Sequence, residues 1–219
     1  MRWRNRRESD NVEDRRGFRA APVVAGGGIG TVVIVLIAMF FGVDPSALLE
    51  SGPPSRAPSG QAVPVSAAQD EARQFVSVVL ADTEDTWNAL FRQMGATYQE
   101  PKLVLFTGAV QSACGFAQSA VGPFYCPADQ KVYIDLQFFD ELQRRFKAPG
   151  DFAQAYVISH EIGHHVQNVM GITSKVEALR ARASEAQANS VSVRLELQAD
   201  CFAGVWANHA QKARQILES

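Results

Sequence analysis

SHEIGHHVQN, residues 159–168, lies in the segment that decides the fold. The apolar run 156–158 comes just before it, as expected for a helix buried in a core rather than one on the surface. We predict that this helix begins at Asp151, which would act as its N-cap, and runs through Val169 to Gly171. The stretch therefore predicts a buried helix as the centre of the domain.

Within that helix, His160 and His164 are four residues apart and project from one face, one turn apart. Two imidazoles at this spacing can share a zinc ion, and the adjacent Glu161 can reach a zinc-bound water and act as the catalytic base. The alternative is a chance match on a solvated helix face, which four His in 219 residues make rare. His165 points away from the shared face, which favours a supporting or core position for it.

A catalytic zinc requires a third protein ligand, and Glu196 is our prediction for it. It lies among apolar residues, where an unpaired charge would be costly, whereas a metal would compensate it. Asp200 follows one turn later and is predicted to hydrogen-bond a ligand histidine. An ordinary exposed acidic pair is the alternative, and Asp200, Cys201 and His209 remain alternative third ligands.

The remaining pattern of the domain predicts an α+β fold, mostly helical with a small antiparallel sheet. Two short alternating runs, beginning at Lys102 and Lys131, are predicted to be strands that pair with each other. Periodic apolar residues predict helices over residues 71–94, 135–147 and, as one helix or two, 174–217.

The N-terminal part divides by composition. Residues 1–20 hold seven Arg and four acidic residues and are predicted to be a basic cytoplasmic tail. Residues 21–43 carry no charge and are predicted to be a transmembrane helix preceding the domain. We prefer this interpretation to a cleaved signal peptide. We also prefer it to nucleic-acid binding by the basic tail. Residues 44–69, with five Pro, are predicted to be a linker, and residues 70–219 form the domain.

Cys114 and Cys126 flank a loop that this topology would place in an oxidising compartment. A disulfide between them is therefore predicted, and metal binding by them is disfavoured by their spacing. Cys201 is expected to be a small buried hydrophobic residue.

Several segments resemble one known family, the bacterial putative neutral zinc metallopeptidases. They are SHEIGHHVQN, ELQADCFAGVWA at 196–207, CGFAQSAVGPFYCP at 114–127 and TEDTWNALF from Thr83, and the likeness extends from Asp70 to Ala207. The resemblance implies a zincin-like fold, a glutamate third ligand and an N-terminal membrane anchor. Family members usually continue further, whereas this sequence ends at Ser219, so we expect a chain without the usual C-terminal extension.

Together these observations predict a membrane-anchored zinc metallopeptidase of the bacterial inner membrane, with its N-terminus cytoplasmic, its domain extracytoplasmic and one Zn²⁺ per chain. It would bind peptide or protein substrates at a sheet edge, and it would not bind nucleic acid. The alternative is an inactive, zinc-stabilised envelope scaffold, against which Glu161 argues. The candidates for stabilising a developing oxyanion are Tyr125, Tyr133, Tyr156 and His165.

Overall fold

The computed structural model describes residues 1–16, 67–118, 121–144 and 150–218. The strands are β1 (Val12–Asp14), β2 (Lys102–Phe106), β3 (Ala109–Ser112), β4 (Gly115–Gln118), β5 (Phe124–Cys126) and β6 (Lys131–Asp135). The helices are α1 (Ala67–Gln93), α2 (Gln137–Arg144), α3 (Asp151–Val169), α4 (Ile172–Arg180) and α5 (Glu185–Arg214). The predicted α+β class, mostly helical with a small sheet, is confirmed.

The main sheet has the strand order β1-β2-β6-β5, and β3 and β4 form a separate hairpin. The predicted antiparallel pairing of the strands that begin at Lys102 and Lys131 is wrong, because β2 pairs parallel with β6, with Leu103 opposite Val132. The chain between them forms the hairpin and then β5, which pairs antiparallel with β6, with Phe124 opposite Tyr133. Since β5 reverses the direction of the chain, β6 runs the same way as β2, and the sheet is mixed.

The core lies between this sheet and the helices α1, α3 and α5. Its centre consists of fully buried aliphatic and aromatic side chains, namely Val76, Val79, Leu80, Leu103, Leu105, Ile134, Val157, Ile158, Ile162 and Trp206. Helix α3 packs against both α1 and α5. The segment that the sequence predicted to be buried is therefore at the centre of the domain.

The helices begin and end at positions that differ in part from the predicted ones. Gly150, not Asp151, occupies the N-cap of α3, because the Asp151 carboxylate instead accepts a hydrogen bond from the Trp3 indole at 3.0 Å. At the other end, Gly171 has a φ of 70° and separates α3 from α4. The predicted last helix is two helices, and Ser184 forms a capping box at the start of α5.

The N-terminal segment, residues 1–16, is part of the domain and not a separate tail. Its strand β1 pairs parallel with β2, with Val12 opposite Leu103, and its Trp3 is 4% exposed and packs edge-on against Phe75. Arg6 is ion-paired with Asp82 of α1. Arg4 and Arg7 likewise pair with acidic residues of α1, so these arginines are not the free charges that a basic tail would carry.

The predicted transmembrane helix is a second correction to the fold class. No helix within the described ranges is both long and apolar enough to cross a membrane, so that part of the prediction is wrong for the structure as described. Residues 21–43, on which the prediction fell, and residues 44–66 of the predicted linker lie outside those ranges. Residues 1–16 share a hydrogen-bonded sheet with the domain. The compartment stays a prediction.

Two of the cysteines are joined and one is free. Cys114 and Cys126 form a disulfide with a Cα–Cα distance of 5.8 Å, which ties the β3–β4 hairpin to the end of β5. Cys201 is exposed on α5, so the expectation that it is buried is wrong: its position on the helix faces away from the core.

Trp3→Ala tests whether the N-terminal segment stabilises the domain. Removing a buried indole and the contact with Phe75 should lower the free energy of unfolding of the full chain by about 3 kcal/mol. Asp10→Ala, an exposed position in the same segment, is the matched control and should change it by less than about 0.5 kcal/mol. Urea unfolding monitored by circular dichroism measures the stability of both variants. Equal stability of the Trp3 variant and the parent would contradict a stabilising role of the N-terminal segment.

Candidate metal centre

Helix α3 presents the two histidines of the motif side by side. The imidazole rings of His160 and His164 lie 4.8 Å apart between centroids and nearly perpendicular to each other. His160 is almost fully buried and His164 is slightly open to solvent. The helical spacing of four residues thus brings two nitrogen donors to one side of α3.

Helix α5 supplies a carboxylate to the same place. The Oε2 atom of Glu196 lies 3.3 Å from Nε2 of His160 and 3.2 Å from Nε2 of His164. Each of the three side chains offers one ligand atom, and these atoms all lie within 4.8 Å of one another. Among the described residues, Cys201 and His209 are not part of this cluster, and both are exposed on α5.

The close approach of α3 to α5 depends on Gly163. A Cβ atom at this position would lie 2.9 Å from the backbone oxygen of Ala199 and 3.0 Å from its Cα. Ala199 is itself fully buried. A side chain at residue 163 would therefore push α5, and Glu196 with it, away from the histidines.

The polar atoms at the centre of the cluster fit a metal ion. His160 Nε2 and Glu196 Oε2 are fully buried, contact each other, and yet neither makes a well-directed hydrogen bond. Buried polar atoms without hydrogen bonds are costly, and a cation would compensate them. Two imidazoles and one carboxylate are a ligand set typical of catalytic zinc. Glu161, beside the cluster, is also fully buried, and its carboxylate lies near the backbone of Tyr125 on β5 without a well-directed hydrogen bond.

A carboxylate supports the first histidine from behind. His160 Nδ1 lies 2.9 Å from Oδ1 of Asp200, where the sequence analysis expected this residue. The Tyr156 hydroxyl donates to the same oxygen at 2.7 Å. Tyr156 lies one turn before His160 on α3, a spacing that could have suggested this second contact.

An amide supports the second histidine, and the sequence analysis missed it. His164 Nδ1 lies 2.9 Å from Oε1 of Gln167. The Nε2 of the same amide donates to the backbone oxygen of Leu195 at 2.6 Å and contacts Gln198 Oε1 at 3.2 Å. Gln167 follows His164 by three residues and so lies on the same side of the helix, which is the signal that could have found it.

Burial and the neighbouring charged groups shift the pKa values of the cluster residues. Burial disfavours the charged form of His160, but the hydrogen bond to Asp200 and the close contact with the Glu196 carboxylate outweigh it and raise the pKa of His160 to about 10. Burial acts against the charge of Glu196 as well, and the close contacts with His160 and His164 nevertheless lower the pKa of Glu196 to about 2. Burial raises the pKa of Glu161. Because a metal ligand must be deprotonated, protons and a metal ion compete for these groups.

Each of the four candidate oxyanion-stabilising residues already makes a hydrogen bond within the protein. The Tyr133 hydroxyl donates to Asp129 at 2.6 Å, and that of Tyr156 to Asp200. His165 Nε2 lies 2.6 Å from the backbone oxygen of Gln99, and its Nδ1 lies 3.0 Å from the hydroxyl of Tyr125. His165 and Tyr125 therefore join α3 to β5 rather than facing the cluster.

Comparison with known proteins identifies relatives of the chain. The sequence profile of a family described as "Putative neutral zinc metallopeptidase" matches residues 1–219. A protein of Escherichia coli K12 named Uncharacterized protein YpfJ is 50% identical over 228 aligned positions, covering 100% of this chain and 78% of the relative. One of Mycobacterium tuberculosis H37Rv named Uncharacterized protein Rv2575 is 39% identical over 182 positions, covering 81% and 60%. No solved structure matches.

Gly163→Ala tests the helix contact on which the cluster depends. The added methyl would meet the backbone of Ala199, so we expect the unfolding free energy to fall by about 1–3 kcal/mol and bound zinc to be lost. Gly204→Ala is the matched control on α5, where an added Cβ meets nothing within 4 Å. It should stabilise the helix by up to about 1 kcal/mol and leave metal content unchanged. Full zinc content in the Gly163 variant would contradict this role of the contact.

Proposed function

The chain belongs to the family of putative neutral zinc metallopeptidases, and on that premise we propose that it hydrolyses peptide bonds with one zinc ion per chain. The family match implies zinc and a hydrolase of this type. The observation that carries the proposal is the arrangement of ligand atoms of His160, His164 and Glu196 within 4.8 Å of one another, with the buried carboxylate of Glu161 beside them.

Each residue of the cluster has a separate task in the proposed reaction. His160, His164 and Glu196 hold the zinc, which when bound supplies the Lewis acidity that activates a water molecule and polarises the peptide carbonyl. Glu161 accepts the proton of the attacking water on a carboxylate oxygen and then delivers it to the nitrogen of the leaving amine. Burial of Glu161 excludes competing solvent from that carboxylate. Asp200 holds the ring of His160 through its Nδ1 atom.

We propose that the substrate is an extended peptide that lies along β5. This strand is at the edge of the main sheet as described, so its outer backbone groups can pair with another chain. Strand β5 packs against α3, and the contact of Tyr125 with His165 fixes it beside the motif. The disulfide at Cys126 secures the end of the same strand. A peptide on this edge would pass next to Glu161.

The alternative of a zinc-stabilised scaffold has less support. Structural zinc sites are normally closed by four protein ligands. The cluster within the described residues provides three, which leaves a coordination position open for water or substrate. A buried Glu161 whose carboxylate makes no well-directed hydrogen bond would also be an unnecessary cost in a purely structural site.

Two substitutions separate metal binding from catalysis. In the full chain, Glu161→Gln should retain one zinc and lose peptide hydrolysis by at least about 100-fold, because the proton acceptor is gone. Glu196→Ala should lose both zinc and activity, since it removes a ligand. Zinc is measured by plasma mass spectrometry, and hydrolysis with a library of fluorescence-quenched peptides.

Glu177→Gln, an exposed position on α4, is the matched control and should behave as the parent in both assays. A parent that binds zinc but cleaves nothing across the library, or a Glu161 variant as active as the parent, would refute the proposed peptidase.

A further inference from the structure

We propose that Gln167 is a positioning residue that holds the imidazole of His164 in the tautomer whose Nε2 atom faces the metal. The inference rests on the zinc site of the proposed function and goes beyond it, because it concerns a residue that is neither a ligand nor a proton carrier. It follows from the hydrogen bonds of the buried Gln167 amide, whose nitrogen donates and whose oxygen only accepts.

The first step is the orientation of the Gln167 amide. One end of it lies 2.6 Å from the backbone oxygen of Leu195. A carbonyl oxygen only accepts, so the amide group facing it must be the Nε2–H₂ donor. The Oε1 of Gln198 at 3.2 Å, on the same side, requires a donor as well. The orientation of the amide is thus determined by α5.

The orientation of the Gln167 amide in turn determines which nitrogen of the His164 imidazole carries the hydrogen. With Nε2 turned to Leu195, the other end of the amide is Oε1, which lies 2.9 Å from Nδ1 of His164. An amide oxygen only accepts, so Nδ1 must carry the hydrogen. A neutral imidazole with a hydrogen on Nδ1 has its lone pair on Nε2. That atom is 3.2 Å from Glu196 Oε2, in the cluster.

Burial makes this chain of hydrogen bonds effective. The Gln167 side chain is fully buried, so water cannot replace either partner. Leu195 immediately precedes Glu196 in sequence. The Gln167 amide therefore links the backbone next to one metal ligand, Glu196 on α5, to the ring of another, His164 on α3. His160 has a charged partner in Asp200, whereas His164 has a neutral one, so Gln167 orients its ring without adding negative charge to the site.

A purely structural role of Gln167 predicts different effects of its substitutions on zinc affinity. If Gln167 only ties α3 to α5, its contact with Leu195 is the important one. If it positions His164, the acceptor that faces Nδ1 is the important one. Gln167→Met removes both contacts, whereas Gln167→Glu keeps an acceptor of the same length toward Nδ1 and removes the amide donor to Leu195.

The test compares zinc affinities of the full-length variants by competition with a fluorescent chelator. We expect Gln167→Met to bind zinc about 10–100-fold more weakly than the parent and Gln167→Glu to recover most of that loss. Gln198→Met, which removes a neighbouring contact but leaves the bond to His164, should bind like the parent. An unchanged affinity in Gln167→Met, or an equal loss in the Met and Glu variants, would overturn the proposal.

A nuclear magnetic resonance measurement follows the hydrogen itself. In the zinc-loaded parent, a slowly exchanging imidazole Nδ1–H signal is expected for His164, and it should be absent or in fast exchange in Gln167→Met but present in Gln198→Met. Persistence of the signal in Gln167→Met would also overturn the positioning role. A parent that binds no zinc would instead refute the proposed function, and this inference with it, so the two failures are distinguishable.

Discussion

The approach of α3 to α5 at Gly163 and Ala199 is the constraint on which the rest of the site depends. The two histidines lie on one helix and the carboxylate on another, and only a backbone contact without a side chain between them brings Glu196 within 3.3 Å of both imidazoles. The cost of this geometry is a group of buried polar atoms that the protein alone leaves poorly paired. A bound cation would compensate these atoms, so packing and metal binding are coupled in this domain.

Around the cluster, the supporting groups differ in charge. One histidine is held by a carboxylate that also accepts from Tyr156, and the other by an amide whose orientation α5 determines. Glu161 has no such partner, which suits a residue that has to accept and release a proton. On another face of α3, His165 contacts Tyr125 and joins the motif helix to the edge strand. The same helix therefore organises both the proposed catalytic groups and the strand proposed for substrate.

The sequence predicted what depends on local spacing. Four-residue separation places His160 and His164 on one helix face, and a carboxylate among apolar residues pointed to Glu196, which the structure places beside them. Pairings between distant segments were not predictable in this way. The parallel pairing of β2 with β6 depends on the path of the chain between them. Arg6 was counted as a free charge because Asp82, its partner on α1, lies 76 residues away. Gln167 was overlooked because a buried amide has no distinctive pattern in sequence.

The central claim is that His160, His164 and Glu196 hold one zinc ion. X-ray absorption spectroscopy of the zinc-loaded full chain tests it most directly, since it reports the atoms around the metal. The account predicts nitrogen and oxygen ligands at about 2.0–2.1 Å, with outer-shell scattering from two imidazoles. A sulfur ligand at about 2.3 Å, which would implicate Cys201, or scattering from a number of imidazoles other than two, would contradict it.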